Sequence, residues 1–129
     1  MPGRILIYRF SSFGDVLIAI PVVMSALKTY PELSIVFVTR DRFVSYFPKH
    51  KRLSLIGLDL ENEYKGLKGI FKAYMLLKSR EKYELLIDLH NVIRSQLLNF
   101  LFRFEKISIL KLEKRRRSKR KILKKRKIR

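Results

Sequence analysis

Arg4-Ile5-Leu6-Ile7-Tyr8-Arg9-Phe10-Ser11-Ser12-Phe13-Gly14-Asp15-Val16-Leu17 joins three local patterns. It starts as an apolar strand run, Arg4 to Phe10, and turns through small residues. It then opens an apolar helix pattern, about Asp15 to Tyr30, which Pro31 ends by pushing the preceding residue out of the α region. A small-residue turn between strand and helix is where α/β folds place ligands, because the first backbone N–H groups of the helix are unpaired. This turn also carries a carboxylate, Asp15.

Outward from this unit, strands and helices alternate. Strand patterns fall at Ser34 to Thr39, Leu53 to Leu58, Tyr83 to Leu89 and Lys106 to Leu110. Between them lie a short helix over Asp41 to Phe47, a polar loop over Asp59 to Gly66, and helices over about Leu67 to Lys82 and Val92 to Phe102. Such alternation implies parallel βαβ units. Continuous apolar strands such as Leu85-Leu86-Ile87 imply a sheet covered on both faces. Right-handed crossovers then favour a Rossmann-like, doubly wound parallel sheet of order 3-2-1-4-5. The first helix is apolar nearly all round, which marks a helix buried on most sides. Pro21 inside it is expected to kink it or remove one hydrogen bond.

The chain has 129 residues, 47% of them hydrophobic, which fits one domain or part of one. It has no cysteine, so no disulfide or thiolate site exists. The longest apolar run, Val16 to Met24, is far short of the roughly 20 residues of a membrane span. Met1-Pro2-Gly3-Arg4 leads straight into strand-like sequence with no signal-peptide pattern. The formal charge of +19 is unevenly spread. Residues 1–110 form a moderately basic body at +7, and residues 111–129 a very basic tail at +12. That tail is either a solvated end or a surface for lipid, nucleic acid or acidic substrates.

In a sheet of order 3-2-1-4-5 the loops after strands 1 and 4 part and open a crevice at the carboxyl ends. Two segments converge there: Ser11 to Asp15, and Asp88-Leu89-His90-Asn91-Val92-Ile93-Arg94-Ser95. Ser11, Ser12 and Gly14 either form an ordinary tight turn or present N–H and hydroxyl groups to an anion. Asp15 is either a helix N-cap or a general base that takes a proton from a substrate hydroxyl. The two readings pull its pKa in opposite directions. His90 is either a structural loop histidine or a substrate contact. Arg94, early in a helix where a cation is not helped by the dipole, points to an anionic partner. Arg40, Asp41 and Arg42 also face this end. The turn lacks the lysine of a P-loop and the three glycines of a dinucleotide fingerprint. Neither His50 nor His90 has acidic neighbours at zinc-ligand spacing, and no nucleophile elbow is present.

RILIYRFSSFGDVLIAIP (residues 4–21), continued by VVMSALKTYPELSIVFVT, resembles the N-terminal signature of the heptosyltransferases of glycosyltransferase family 9. YELLIDLHNVIRS (residues 83–95) resembles a second family segment. The resemblance covers residues 4–121 and implies part of the N-terminal, acceptor-binding domain of a GT-B enzyme. It implies metal-free, cofactor-free, inverting transfer from a nucleotide-activated donor, typically ADP-heptose, to lipopolysaccharide core. It matches Asp15 to the catalytic base, Ser12 and Gly14 to the same turn, and His90, Asn91, Arg94 and Ser95 to the acceptor side. Members are about twice this length or more. The chain is therefore expected to be inactive alone, and the sequence leaves open whether a second chain carries the donor-binding domain. The implied setting is the cytoplasm, peripheral to the inner membrane where lipid-linked acceptors sit. The alternative reading is a polyanion-binding module driven by the tail. Thirteen cations in residues 111–129 would bind any polyanion, but no aromatic residue there offers a stacking platform for specific nucleic-acid recognition.

Overall fold

In the computed structural model the described residues are 3–10, 12–90, 92–105 and 107–111. The order is β1 (Arg4–Tyr8), α1 (Phe13–Thr29), β2 (Ser34–Arg40), a 3-10 helix (Asp41–Tyr46), β3 (Leu53–Leu58), α2 (Gly66–Arg80), β4 (Leu85–Asp88), α3 (Ile93–Phe102), a 3-10 turn (Arg103–Glu105) and β5 (Ser108–Lys111). The strands form one sheet of order β3-β2-β1-β4-β5, and every pairing is parallel. This is the doubly wound arrangement expected from the alternation of patterns. The tail beyond Lys111 lies outside the described residues.

Strand alternation sends successive side chains to opposite faces. Leu6 and Tyr8 join Val36, Val38, Ile56 and Leu86 on one face, packed by Ile70, Ala73, Tyr74 and Leu77 of α2 and by Leu98 and Phe102 of α3. Ile5 and Ile7 join Ile35, Phe37 and Leu53 on the other, packed by Val16, Ala19, Val23 and Leu27 of α1 and by Phe43 and Phe47. Each fully buried Leu or Phe contributes about 1.5–3 kcal/mol relative to exposure. The helices change face because the chain moves one way from β1 to β3 and then crosses back to β4.

Several boundaries differ from the sequence reading, for identifiable reasons. β1 ends at Tyr8: the Arg9 N–H still donates to the Val38 carbonyl of β2 (3.0 Å), but the Phe10 carbonyl accepts from the Arg40 side chain at Nε (3.1 Å) instead of from a strand amide. β4 begins at Leu85, later than Tyr83, because the Tyr83 hydroxyl donates to the Leu77 carbonyl at the end of α2 (2.8 Å). α1 runs unbroken through Pro21 from Phe13, so Asp15 lies inside its first turn; the N-cap is Ser12. β5 reaches Lys111, and Lys106 lies outside the described residues.

Gly69 sets the approach of α2 to the loop before it. A Cβ there would collide with the backbone of Tyr64. Gly69→Ala is therefore expected to destabilise the fold by about 1–3 kcal/mol, the usual cost of overpacking, or more. Gly14→Ala, whose Cβ meets nothing within 4 Å, is expected to leave the urea midpoint nearly unchanged. Equal midpoints for the two variants would contradict this packing.

Candidate functional site

The carboxyl ends of β1, β2 and β4 meet where the sheet reverses direction. β1 pairs with β4 through Ile5 to Tyr8 and with β2 through Arg4 to Tyr8. The turn into α1 emerges at this junction and is anchored by Phe13, whose ring packs on Phe43 and Tyr46 at 5.3 and 4.8 Å.

Asp15 is held by two donors on one oxygen. Ser12 Oγ donates to its Oδ2 at 2.9 Å and Arg9 Nη2 at 2.6 Å. The Ser12 hydroxyl, then the Arg9 guanidinium, hold the Asp15 carboxyl below the usual carboxylate range. Asp15 is half exposed (side chain 53%) whereas Arg9 is nearly covered (9%). Arg9 Nη1 donates to the Leu89 carbonyl after β4, so one guanidinium ties the β1 exit, the β4 exit and the start of α1 together. Arg9 Nε has no hydrogen-bond partner among the described residues.

Beneath this clamp lies a buried polar network. The Tyr8 hydroxyl donates to Asn99 Oδ1, and Asn99 Nδ2 donates to Asp88 Oδ2 at 2.9 Å. Asp88 Oδ1 accepts from the His90 backbone N–H at 2.9 Å. Burial, then the Asp88 charge, push the Tyr8 phenol far up, so it stays a donor. His90 is itself buried, and its Nδ1 accepts from the Phe10 N–H at 3.3 Å. Ser95 is fully buried; its Oγ accepts from the Val92 N–H (2.9 Å) and donates to the Val92 carbonyl (3.0 Å), closing the start of α3.

Of the residues singled out from sequence, Ser12, Gly14 and Asp15 are exposed and Arg94 is partly exposed. His90 and Ser95 sit in the interior and shape the β4 exit from below. Ser11 and Asn91 lie outside the described residues. Arg94 loses some basicity through burial and then through the charge of Arg40. Arg40, fixed to the Phe10 carbonyl, also pairs with Glu61 at 3.4 Å. Arg9 thus touches the carboxylate of the turn, and Arg40 and Arg94 lie close enough for their charges to act on each other. Arg9 was not picked out from sequence. The available signal was its parity: it follows Ile5 and Ile7 on the same face of the strand, an odd place for a cation without a partner. Asn99 carried no comparable signal within its helix. Beside the clamp, an open apolar groove of about 390 Å³ runs along α1, with Arg9 and Asp15 at one end. Among the described residues no group of three His, Cys, Asp or Glu is placed to hold a metal ion. No helix among them is long and apolar enough to cross a membrane.

No protein-family model matches the sequence, and no curated protein matches it. Solved structures do. A glycosyl transferase family 9 structure from Veillonella parvula superposes with a TM-score of 0.68 at 20% identity, over 86% of this chain and 36% of that one. The E. coli heptosyltransferase WaaC with ADP gives 0.60 at 19% identity, over 84% and 34%. The same enzyme with ADP-2-deoxy-2-fluoro heptose gives 0.56 at 21%, over 74% and 32%. The likeness establishes a shared α/β fold, and the chain spans about a third of the length of the structures it matches.

The lowered Asp15 pKa has a definite sign. The stability it contributes is present above the ordinary carboxylate value of 3.8 and is lost as pH falls through the lower folded value. Carboxyl ¹³C NMR is expected to place Asp15 below 3.8 and Ser12→Ala to move it upward. An Asp15 that titrates identically with and without the Ser12 hydroxyl would contradict the geometry.

Proposed function

We propose that the chain is the acceptor-side part of an inverting family 9 type glycosyltransferase, with Asp15 as the base. The observation that carries the reading is a carboxylate held at the crevice between β1 and β4, on a fold shared with a heptosyltransferase solved with ADP. Ser12 and Arg9 side chains both hold Oδ2, and the half-exposed carboxylate is open to an acceptor hydroxyl from the crevice. As the acceptor oxygen bonds to the anomeric carbon, its proton passes to Asp15. The bond from that carbon to the diphosphate oxygen breaks, and its electron pair leaves with the nucleoside diphosphate. Attack opposite the leaving group inverts the centre, and the scheme calls for no metal.

The lowered pKa keeps Asp15 ionised at neutral pH, the form a base must have, and also makes it weak. A weak base suits a reaction whose hydroxyl acidifies as the new C–O bond forms, so that the proton moves late. The cationic rim of Arg40 and Arg94 suits an acceptor bearing phosphates or carboxylates, as lipopolysaccharide core does, and that acceptor places the work at the cytoplasmic face of the inner membrane. The donor, an ADP-heptose type nucleotide sugar, falls in this proposal to a second Rossmann-like domain outside these 129 residues.

The chain alone is therefore expected to bind heptose-free core oligosaccharide and to transfer nothing from ADP-heptose. NMR shifts on titration should centre on Ser12, Asp15 and Arg94, and Arg94→Gln should weaken binding about tenfold, the loss of one charge-assisted contact. With a family 9 donor domain added, transfer should appear and Asp15→Asn should lower it by about 10²–10⁴-fold, as expected for a general base. Turnover by the chain alone would refute the division of labour. Binding of duplex DNA but not of core oligosaccharide at matched salt would favour the tail-driven reading instead.

A further inference from the structure

α2 and α3 are apolar on their outer as well as their inner faces. α2 buries Ile70, Ala73, Tyr74 and Leu77, yet its Leu67, Phe71 and Met75 are 74%, 55% and 46% exposed. These three recur every four residues and form one stripe along the helix. α3 buries Ser95, Leu98, Asn99 and Phe102. Ile93 and Phe100, seven residues apart, share its opposite side and are 76% and 55% exposed. Phe104, 73% exposed, meets Phe100 edge-on at 5.8 Å and prolongs that ridge. The stripes adjoin at the carboxyl end of the sheet, where Leu67 and Ile93 line one open depression with Arg94. Single exposed apolar residues are ordinary, whereas contiguous stripes mark an interaction surface.

The charges on these helices have one sign. α2 carries Lys68, Lys72, Lys78 and Arg80 and α3 carries Arg94, and neither helix holds an Asp or Glu. Glu63 and Glu105, in the flanking turns, reach Lys72 and Lys78 at 3.1 and 3.4 Å. Such solvent-accessible pairs are weak and exchange readily for other anions. We infer that the outer face of α2 and α3 is a membrane-docking surface whose partner is a bilayer rich in anionic lipid. Leu67, Phe71, Met75 and Ile93 enter the boundary between headgroups and acyl chains, and the neighbouring cations lie among the lipid phosphates. This is the division of labour of an interfacial helix, an apolar stripe flanked by cations. Lys68 and Lys72 each follow an inserting residue by one position, about 100° further round the helix. Their stems run along apolar surface while their amines stay in the headgroup layer. Fluid lipid suits this face better than a folded partner, because mobile headgroups match cations at any spacing.

The place of the face in the fold supports the reading. Further βα units of the same sheet would add helices beside α2 and α3, in their layer and not outside it. Cover by residues 111–129 is opposed by charge, since their +12 has the sign of these helices. Neither helix is long and apolar enough to cross a bilayer, so the contact is lateral. The stripes begin at the helix N-termini, at the end of the sheet that carries the β1 and β4 exits. Docking therefore holds the crevice beside the bilayer surface. The inference stands on this surface and not on the transferase reading; under that reading, it is where a lipid-linked acceptor presents its sugars.

The chain has no tryptophan, so single reporters separate insertion of the face from attraction of the basic tail. Phe71→Trp and Ile93→Trp lie on the face. Tyr46→Trp, at a 56% exposed position of the 3-10 helix across the sheet, is the control. Nuclease-treated full chain is mixed with phosphatidylglycerol–phosphatidylcholine vesicles, with and without brominated acyl chains, at about 0.1 M salt. Both face reporters are expected to shift to shorter wavelength and to be quenched by the bromines, and the control to do neither. Phe71→Ser, with an unchanged circular dichroism spectrum, should partition about tenfold more weakly, the loss of one inserted ring. Vesicle binding with all three reporters unquenched, and with Phe71→Ser binding as the parent does, would assign the attraction to the tail and overturn the proposal. So would no binding at all, or quenching of the control as strong as that of the face. Face reporters already blue-shifted without lipid would place this face under polypeptide and overturn it too.

Discussion

The guanidinium of Arg9 is a cation almost removed from water and shared by three chain segments. Its Nη1 holds the Leu89 carbonyl after β4, and its Nη2 holds Asp15 in the first turn of α1. A buried unpaired charge costs several kcal/mol, so the ionised form of Asp15 is built into the fold. The exposed partner is the one that can change. Asp15 stays half exposed to solvent while Arg9 stays where the strands put it. Local fold and candidate chemistry are therefore one arrangement: loosening the clamp frees the β4 exit as well as the carboxylate.

Beneath Arg9, the chain Tyr8–Asn99–Asp88–His90 backbone links β1, α3 and the β4 exit. Every member is buried. Such a network specifies position when its groups are satisfied and is costly when they are not. It explains why two residues with chemical potential, His90 and Ser95, face inward. Their bonds to the Phe10 N–H and to Val92 hold the two loops that lead into the helices carrying Asp15 and Arg94.

Strand order and the crevice were legible because they follow from hydrophobic period and from the handedness of crossovers, both of which are written in local sequence. Element ends were less so. The exit of β1 is set by a bond from Arg40, 30 residues on, and the entry of β4 by the bond of Tyr83 back to Leu77 of α2. Asp15 was legible as a carboxylate beside the turn, but its state was not. Whether it capped the helix or stood ready as a base depended on Arg9, and Arg9 looked like the polar end of a strand. Arg94 was legible through its misfit with the helix dipole. Asn99 was silent, because a polar residue in an amphipathic helix ordinarily faces water.

The crevice and the apolar groove along α1 adjoin one another. When the chain reverses direction at β1, the loops after β1 and β4 part, which opens the polar crevice at one end of the sheet. The same reversal moves α2 and α3 to the opposite face, and among the described residues Leu85, Ile87 and Leu89 pack only partly buried against the α1-side core. Arg9 and Asp15 stand where the two meet, at the rim of the crevice and at the end of the groove. Whatever covers the groove therefore lies against the clamp that positions Asp15. Closing that surface dries one side of the Arg9–Asp15 pair, and in a lower dielectric the pair strengthens. Burial of the groove would thus act, through one ion pair, on the readiness of Asp15 to accept a proton.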